Sequence, residues 1–485
     1  MSFIDHLFAM FKSDMVSGVD YKRFVRYFYD PPPKFDETSE ASIWLLGQEY
    51  NSTPSRDITT TDREDVVEVA SSVESHEPSE TATSHTTAQD QDPLKDDERR
   101  NSLDDIHRIE GQNIPSVSND PADGGWPLAF IDDFESRIWM TYRNNFPPIP
   151  RSQGPVSTSS MTFAVRLRSL ADREGFTSDT GWGCMIRTGQ SVLANALLLQ
   201  RFGRAWRYKK KIAETEIAPH AEIIALFADH PSAPFSIHNF VAHGAVACNT
   251  HPGHWFGPST TATCIAALVK NYSATNLRVY VSSSTADIYE DKLRALSPES
   301  TIQPTLILLG VRLGPDRVTP VYHPALRDLL TYSQSLGIAG GRPSSSHYFI
   351  GVQSDTFFYL DPHTTQPAIA YHSSPSGYTE ADIATCHTRR LRGVKVDEMD
   401  PSMLLAFLIK DEQDWRDFRQ RLDEATGKSI VHVHDRSPPV PGVSEERAEA
   451  VDEVETFDDD DDDGHDNEND EEGGQVLKDH RQVTQ

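Results

Sequence analysis

The chain has 485 residues, is 37% hydrophobic and carries a formal net charge of −29, which argues against generic nucleic-acid binding, where phosphates demand Lys and Arg. Its four cysteines show no Cys-x-x-Cys spacing and are too sparse in 485 residues for a disulfide scaffold, so a reducing compartment fits better. The acidity is local: residues 51–123 carry −12 and residues 441–485 carry −15, leaving −2 for the rest.

The N-terminal MSFIDHLFAMFKSDM is broken by Asp5, His6, Lys12 and Asp14, so it does not read as a secretory signal. FIDHLFAMF suits a short amphipathic helix that packs on its own core or serves as a flap. No stretch approaches the roughly 18 apolar residues of a membrane span. Residues 1–50 are aromatic-rich (FVRYFYDPPPKF, SIWLLGQEY) and are expected to pack as the N-terminal part of the folded unit. Residues 51–123 contain no Phe, Trp or Tyr; too little apolar area is available to offset ordering entropy, so they read as a disordered insertion in a loop. The folded unit then continues through residues 124–435.

Within it, MIRTGQSVLANALLLQRFG predicts a helix with Ile186, Leu193, Ala196 and Leu197 close to one face. GPSTTATCIAALVKNY predicts a second helix, capped by Ser259 or Thr260. TIQPTLILLGVRLG, SHYFIGVQ and DTFFYLDPH predict short apolar strands, and PSMLLAFLIKDEQDWRDFRQRL a late amphipathic helix. Early helices and late strands favour an α+β layout. Residues 436–485, with SPPVPG and a six-aspartate run, read as a disordered acidic tail whose only aromatic is Phe457.

Two segments could carry chemistry. In TSDTGWGCMIRTGQ, Cys184 follows a Gly-rich turn and opens the first helix. A thiol there faces unsatisfied N–H groups and the positive end of the helix dipole, which favour the thiolate. Its own backbone N–H is free to hold an oxyanion. In FFYLDPHTTQP, Asp361 and His363 lie two apart at a strand end, and strand periodicity puts them on one face. A carboxylate beside an imidazole fixes its tautomer and stabilises the imidazolium. Nucleophile, base and orienter thus occur in the order Cys, Asp, His. An inert buried thiol and a surface strand-end His are the competing readings. Tyr142, in RIWMTYRNNFPPI, is a candidate second oxyanion donor or a core aromatic; Trp255, in THPGHWFGPS, walls a groove or simply packs. His432-x-His434, and His251 with His254, lack further ligands at metal spacing, and Cys386-His387 lacks an orienter. The aspartate run lacks calcium-loop spacing. No metal and no cofactor are expected.

Taken together, TSDTGWGCMIRTGQ, YLDPHTTQP, TYRNNFPPI and GGRPSSSHYFIGV closely resemble blocks of the autophagy cysteine proteases, the autophagins, over residues 1–50 and 124–435. The resemblance implies a papain-like α+β fold with a small extra subdomain. It implies cleavage of a ubiquitin-like autophagy modifier directly after a glycine, and release of that modifier from phosphatidylethanolamine. By motif position it gives Cys184 as nucleophile, His363 as base, Asp361 as orienter and Tyr142 as the oxyanion-side tyrosine. Trp255 and the Gly-rich loop around Gly337–Pro343, including Gly340, Gly341 and Pro343, would clamp the terminal glycine. The implied protein is a monomer in the cytoplasm, recruited transiently to autophagosomal or pre-autophagosomal membranes, with the nucleus as a further location. The tail departs from the family's aromatic-x-x-aliphatic docking motif, because Asp460 follows Phe457 at the third position. A deubiquitinase, a silent modifier-binding adaptor and an acyl transferase are the alternatives.

Overall fold

The computed structural model describes residues 33–36, 38–51, 124–152, 165, 175–209, 219–283, 285–342, 345–425 and 427–438. The expected N-terminal amphipathic helix, residues 52–123, Pro343 and the tail from residue 439 lie outside the described residues.

In chain order the strands are β1 (Ile43–Leu45), β2 (Gln48–Tyr50), β3 (Arg143–Ile149), β4 (Phe176–Ser178), β5 (Arg278–Ser282), β6 (Asp287–Tyr289), β7 (Thr305–Arg312), β8 (Ser335–Arg342), β9 (Ser345–Gln353), β10 (Thr356–Leu360), β11 (Gln366–Pro367), β12 (Arg392–Lys395), β13 (Ser402–Ile409) and β14 (His432–His434). The helices are α1 (Leu128–Glu135), α2 (Cys184–Phe202), α3 (Ala221–Ala225), α4 (Ile237–Ala247), α5 (Pro258–Asn271), α6 (Glu290–Arg294), α7 (His323–Thr331), α8 (Glu380–Ala384) and α9 (Glu412–Glu424).

The main sheet runs β12-β10-β9-β8-β13-β7-β5, with the β1–β2 hairpin joined through β9. Its neighbours are antiparallel except β5 and β7. Side chains alternate across its faces. Leu306, Leu308, Leu404, Ala406, Tyr348 and Ile350 join one buried cluster with α2, α4 and α5. Ile307, Leu309, Leu405, Phe407 and Phe349 join a second cluster with α7 and α9. A strand buried on both faces reads as a continuous apolar run rather than an alternating one. This corrects the late helix expected over PSMLLAFLIKDEQDWRDFRQRL: MLLAFLI is strand β13, paired along its length with β7, and the helix begins only at Glu412. Periodicity cannot separate a doubly buried strand from a buried helix; the N-cap Asp411, which accepts from the N–H groups of Gln413 and Asp414, marks the true start.

The helix expected after Cys184 is present as α2, but it is buried all round from Cys184 to Leu199, not on one face. Its polar side chains are bonded inward. Ser191 accepts from Met140 N–H at 3.0 Å, and Asn195 accepts from Ile138 N–H and donates to Ile138 O, both at 2.9 Å. The polar side of α2 therefore clamps residues 138–140, the segment leading to Tyr142. The second expected helix, α5, is capped differently than predicted. Gly257 is its N-cap with Pro258 in the first turn, and Ser259 and Thr260 lie inside the helix.

Candidate active site

The Cys184 turn is built on Asp179. Its backbone oxygen accepts the N–H groups of Trp182 at 3.1 Å and Gly183 at 2.9 Å, and its carboxylate takes Arg143 N–H at 2.6 Å and Arg187 Nε at 2.7 Å. Position 183 must lack a side chain, because a Cβ there would stand 2.3 Å from Asp179 Oδ2. Arg187, fully buried one turn into α2, also donates to Asp229 Oδ1 at 2.7 Å, and Asp229 Oδ2 accepts Ile369 N–H at 2.8 Å. This buried ionic chain ties the start of α2 to β3 and to the chain after β11. Cys184 is thereby the first residue of a helix whose N-cap Gly183 offers no side-chain acceptor and whose first turn has no acidic residue.

The opposite wall is the end of β10. His363 Nδ1 lies 2.6 Å from Asp361 Oδ1, which also accepts His363 N–H at 3.1 Å. Trp139 Nε1 donates to Asp361 O at 2.7 Å, Tyr142 N–H to Pro362 O at 2.8 Å, and Gln366 N–H to Tyr142 O at 2.9 Å. The loop carrying the imidazole is thus bracketed by the segment that α2 clamps. The Tyr142 ring meets the His363 ring edge-on, centroids 5.3 Å apart. Cys184 receives hydrogen bonds from His363, the Ser346 backbone and the Tyr142 hydroxyl. Since Nδ1 is engaged by Asp361, the ring nitrogen facing the sulfur is Nε2.

The electrostatics follow. Burial pushes the Cys184 thiol up, but His363 as hydrogen-bond partner and charge, with the Ser346 and Tyr142 hydrogen bonds, brings it below the ordinary thiol value. Burial pushes His363 down, yet Asp361 and Cys184 raise it to about 9. For Asp361, burial is outweighed by the hydrogen bond from His363 and by the charges of His347 and His363, so the carboxyl is held well below its usual range. The lowered thiol and raised imidazole both favour the charged pair, backed by a carboxylate, an arrangement that suits nucleophilic attack on a carbonyl and protonation of the leaving group.

The structure brings Cys184, Asp361, His363 and Tyr142 together. Trp255 sits half-buried in the turn before α5, its buried indole N–H without a hydrogen-bond acceptor among the described residues. Gly340 and Gly341 face His347 and Ser346 across the β8–β9 pair. Their missing side chains serve packing: a Cβ would stand 2.9 Å from Met403 Cβ at 340 and 1.7 Å from Ser345 O at 341. His432 and His434 are on exposed β14 beside Asp287, while Cys386 and His387 are buried, with His387 against His220 at 3.0 Å. Sequence reasoning missed Asp179, Arg187, Asp229 and His347. The last lies on β9, its Nε2 3.9 Å from Asp361 Oδ1. His347, Asp361 and His363 are, among the described residues, the group whose donor atoms are close enough to share a metal ion; Asp361 already engages Nδ1 of His363.

A thiol at the start of a buried helix, facing an imidazole–carboxylate pair just past the end of a sheet strand, defines a cysteine peptidase. The family model for the peptidase C54 catalytic domain matches residues 127–421. A probable cysteine protease atg4 of Sclerotinia sclerotiorum is 51% identical over 446 residues, covering 90% of this chain and 96% of that protein. Similar proteins of the same printed name occur in Botryotinia fuckeliana (50% identical, 90% and 96% covered) and Coccidioides immitis (47% identical, 91% and 98% covered). The chain belongs to the peptidase C54 family of papain-like cysteine peptidases.

Proposed function

We propose that this peptidase cuts the C-terminal tail of a ubiquitin-like autophagy modifier directly after a glycine, and releases the same modifier from phosphatidylethanolamine. The Cys184 thiolate attacks the glycine carbonyl, and the oxyanion is held by the Cys184 backbone N–H and the Tyr142 hydroxyl. His363 protonates the leaving amine, of a peptide or of the lipid headgroup, and then activates water against the thioester while Asp361 keeps its orientation. Trp255 and the 340–343 loop exclude side chains beside the scissile carbonyl, so selectivity lies on the acyl side and either amine can leave.

The observation that carries this reading is the continuous Asp361–His363–Cys184 chain, with its 2.6 Å carboxylate–imidazole contact. Residues 51–123 fit an insertion: β1 before them pairs with β9, and Trp126 after them donates to Pro33 O at 2.8 Å, so both flanks lie on one unit. The separate β6–β14 pair with α6 best fits the small extra subdomain. No helix among the described residues is long and apolar enough to cross a membrane, which suits an enzyme that visits the membrane only with its substrate. We place it in the cytoplasm, as a monomer.

The test is to incubate the protein with a modifier precursor and with its phosphatidylethanolamine conjugate and to determine the new C-terminus by mass spectrometry. A terminal glycine from both is expected. Cleavage elsewhere, or no cleavage of either, would overturn the assignment.

A further inference from the structure

One polar side chain on the reacting nitrogen lies outside the nucleophile, base and carboxylate. Ser345 opens β9, is buried, and places its Oγ 3.2 Å from His363 Nε2. The neighbouring Ser346 gives its N–H to the Cys184 sulfur and its hydroxyl to Thr188 Oγ1 at 3.1 Å, anchoring the strand start on α2. Gly341 lets the hairpin close on Ser345 O where any Cβ would clash. The hydroxyl is therefore presented to Nε2 by a fixed backbone.

We propose that Ser345 is a positioning residue for the acid–base nitrogen of His363, acting as its second hydrogen-bond partner through the catalytic cycle. This rests on the Cys184–His363–Asp361 assignment. In the resting pair, Nε2–H is shared between the sulfur anion and Ser345 Oγ. When the S–C bond forms, the sulfur lone pair is spent and the negative charge moves to the carbonyl oxygen. Nε2–H then keeps Oγ as acceptor, and the ring stays aimed at the leaving amine. The proton passes to that amine as the C–N bond breaks. In the second half, Nε2 takes a proton from water as the water oxygen bonds to the thioester carbon. The C–S bond then breaks and restores the thiolate and imidazolium. A hydroxyl both donates and accepts, so it follows Nε2 through both protonation states, which a backbone carbonyl could not.

The titratable groups around the imidazole are Asp361 on its own segment, Cys184 from α2, His347 from β9 and Tyr142 ahead of β3. A hydroxyl that accepts from the imidazolium favours the charged ring, so removing it moves the alkaline limb of kcat/KM to lower pH.

Turnover of a soluble modifier precursor by the full chain is measured for Ser345→Ala, Ser345→Val and Ser345→Thr, with Cys184→Ala as reference. Ala and Val are expected to lower kcat about tenfold to a hundredfold, the scale of a displaced reacting group. KM should change little and the alkaline limb should move down. Thr, which differs from Val by the hydroxyl alone, should recover most of kcat. Equal kcat for Thr and Val, or wild-type or higher kcat for Ala, overturns the role of Ser345. Turnover by Cys184→Ala would instead overturn the triad beneath it. Should Ala melt early, the Thr–Val pair still decides.

Discussion

At the residue scale, the active site is a competition between burial and hydrogen bonding that hydrogen bonding wins. Cys184 and His363 are each pushed toward neutrality by burial and each charged by the other, with Asp361 adding to the imidazole side. The pH dependence follows in sign. In the proposed mechanism the imidazolium protonates the leaving amine; it is present below the His363 pKa and lost above it, so kcat/KM should fall as pH rises through about 9. On the acid side the limb belongs to Cys184 and lies below the ordinary thiol range; a profile rising only toward pH 9 would contradict the pairing. Asp361→Asn should leave the fold intact but favour the wrong tautomer, lowering kcat by about 10⁴-fold with little change in KM. Wild-type kcat in that variant would remove Asp361 from the site. These residues were legible because their chemistry is local: a cysteine after Gly-Trp-Gly at a helix start, and an aspartate and histidine two apart at a strand end. Tyr142 was legible only through resemblance, since what presents it is the clamp of Ser191 and Asn195 on residues 138–140, more than 50 residues away in sequence.

At the element scale, α2 is a reactive terminus held in place by a buried ion network. Asp179, Arg187 and Asp229 have fully buried side chains and lie within 2.7 Å of one another along the chain of contacts. Removing one partner leaves an uncompensated buried charge, so Arg187→Met is expected to cost about 3–5 kcal/mol of stability. Denaturant unfolding of the inactive Cys184→Ala protein with and without the change would measure it; a loss well under 1 kcal/mol would show the network to be dispensable. The sequence did not reveal this device, because Asp229 is 42 residues from Arg187 and nothing local marks it. The misread β13 has a related cause. Both faces of the sheet are covered, so the run carries no period that distinguishes strand from helix.

At the scale of the whole molecule, a mixed sheet covered on both faces sets Cys184 at the start of one helix and His363 just past the end of β10, with the β8–β9 hairpin touching both. The α+β class was legible from element order, and the locations of β7, β9 and β10 from apolar runs bounded by turns. The pairing of β1 with β9, which joins Trp44 to Val352, was not, because register is a tertiary property. It nonetheless accounts for Ile43 and Leu45 lying fully buried in the core; the aromatic-rich residues before Pro33 lie outside the described residues. Deleting residues 51–123 and 441–485 together should leave turnover of a soluble precursor near that of the full chain; a collapse of turnover would assign those segments to the catalytic unit.

Alkylation of Cys184 by iodoacetamide, followed across pH by mass spectrometry of the peptide that contains it, reads the charge on the sulfur directly. The rise should lie below the ordinary thiol range in the wild type, and His363→Ala should move it up, to or above that range. A wild-type rate that climbs only near pH 9, or one indifferent to loss of His363, would contradict the thiolate–imidazolium pair.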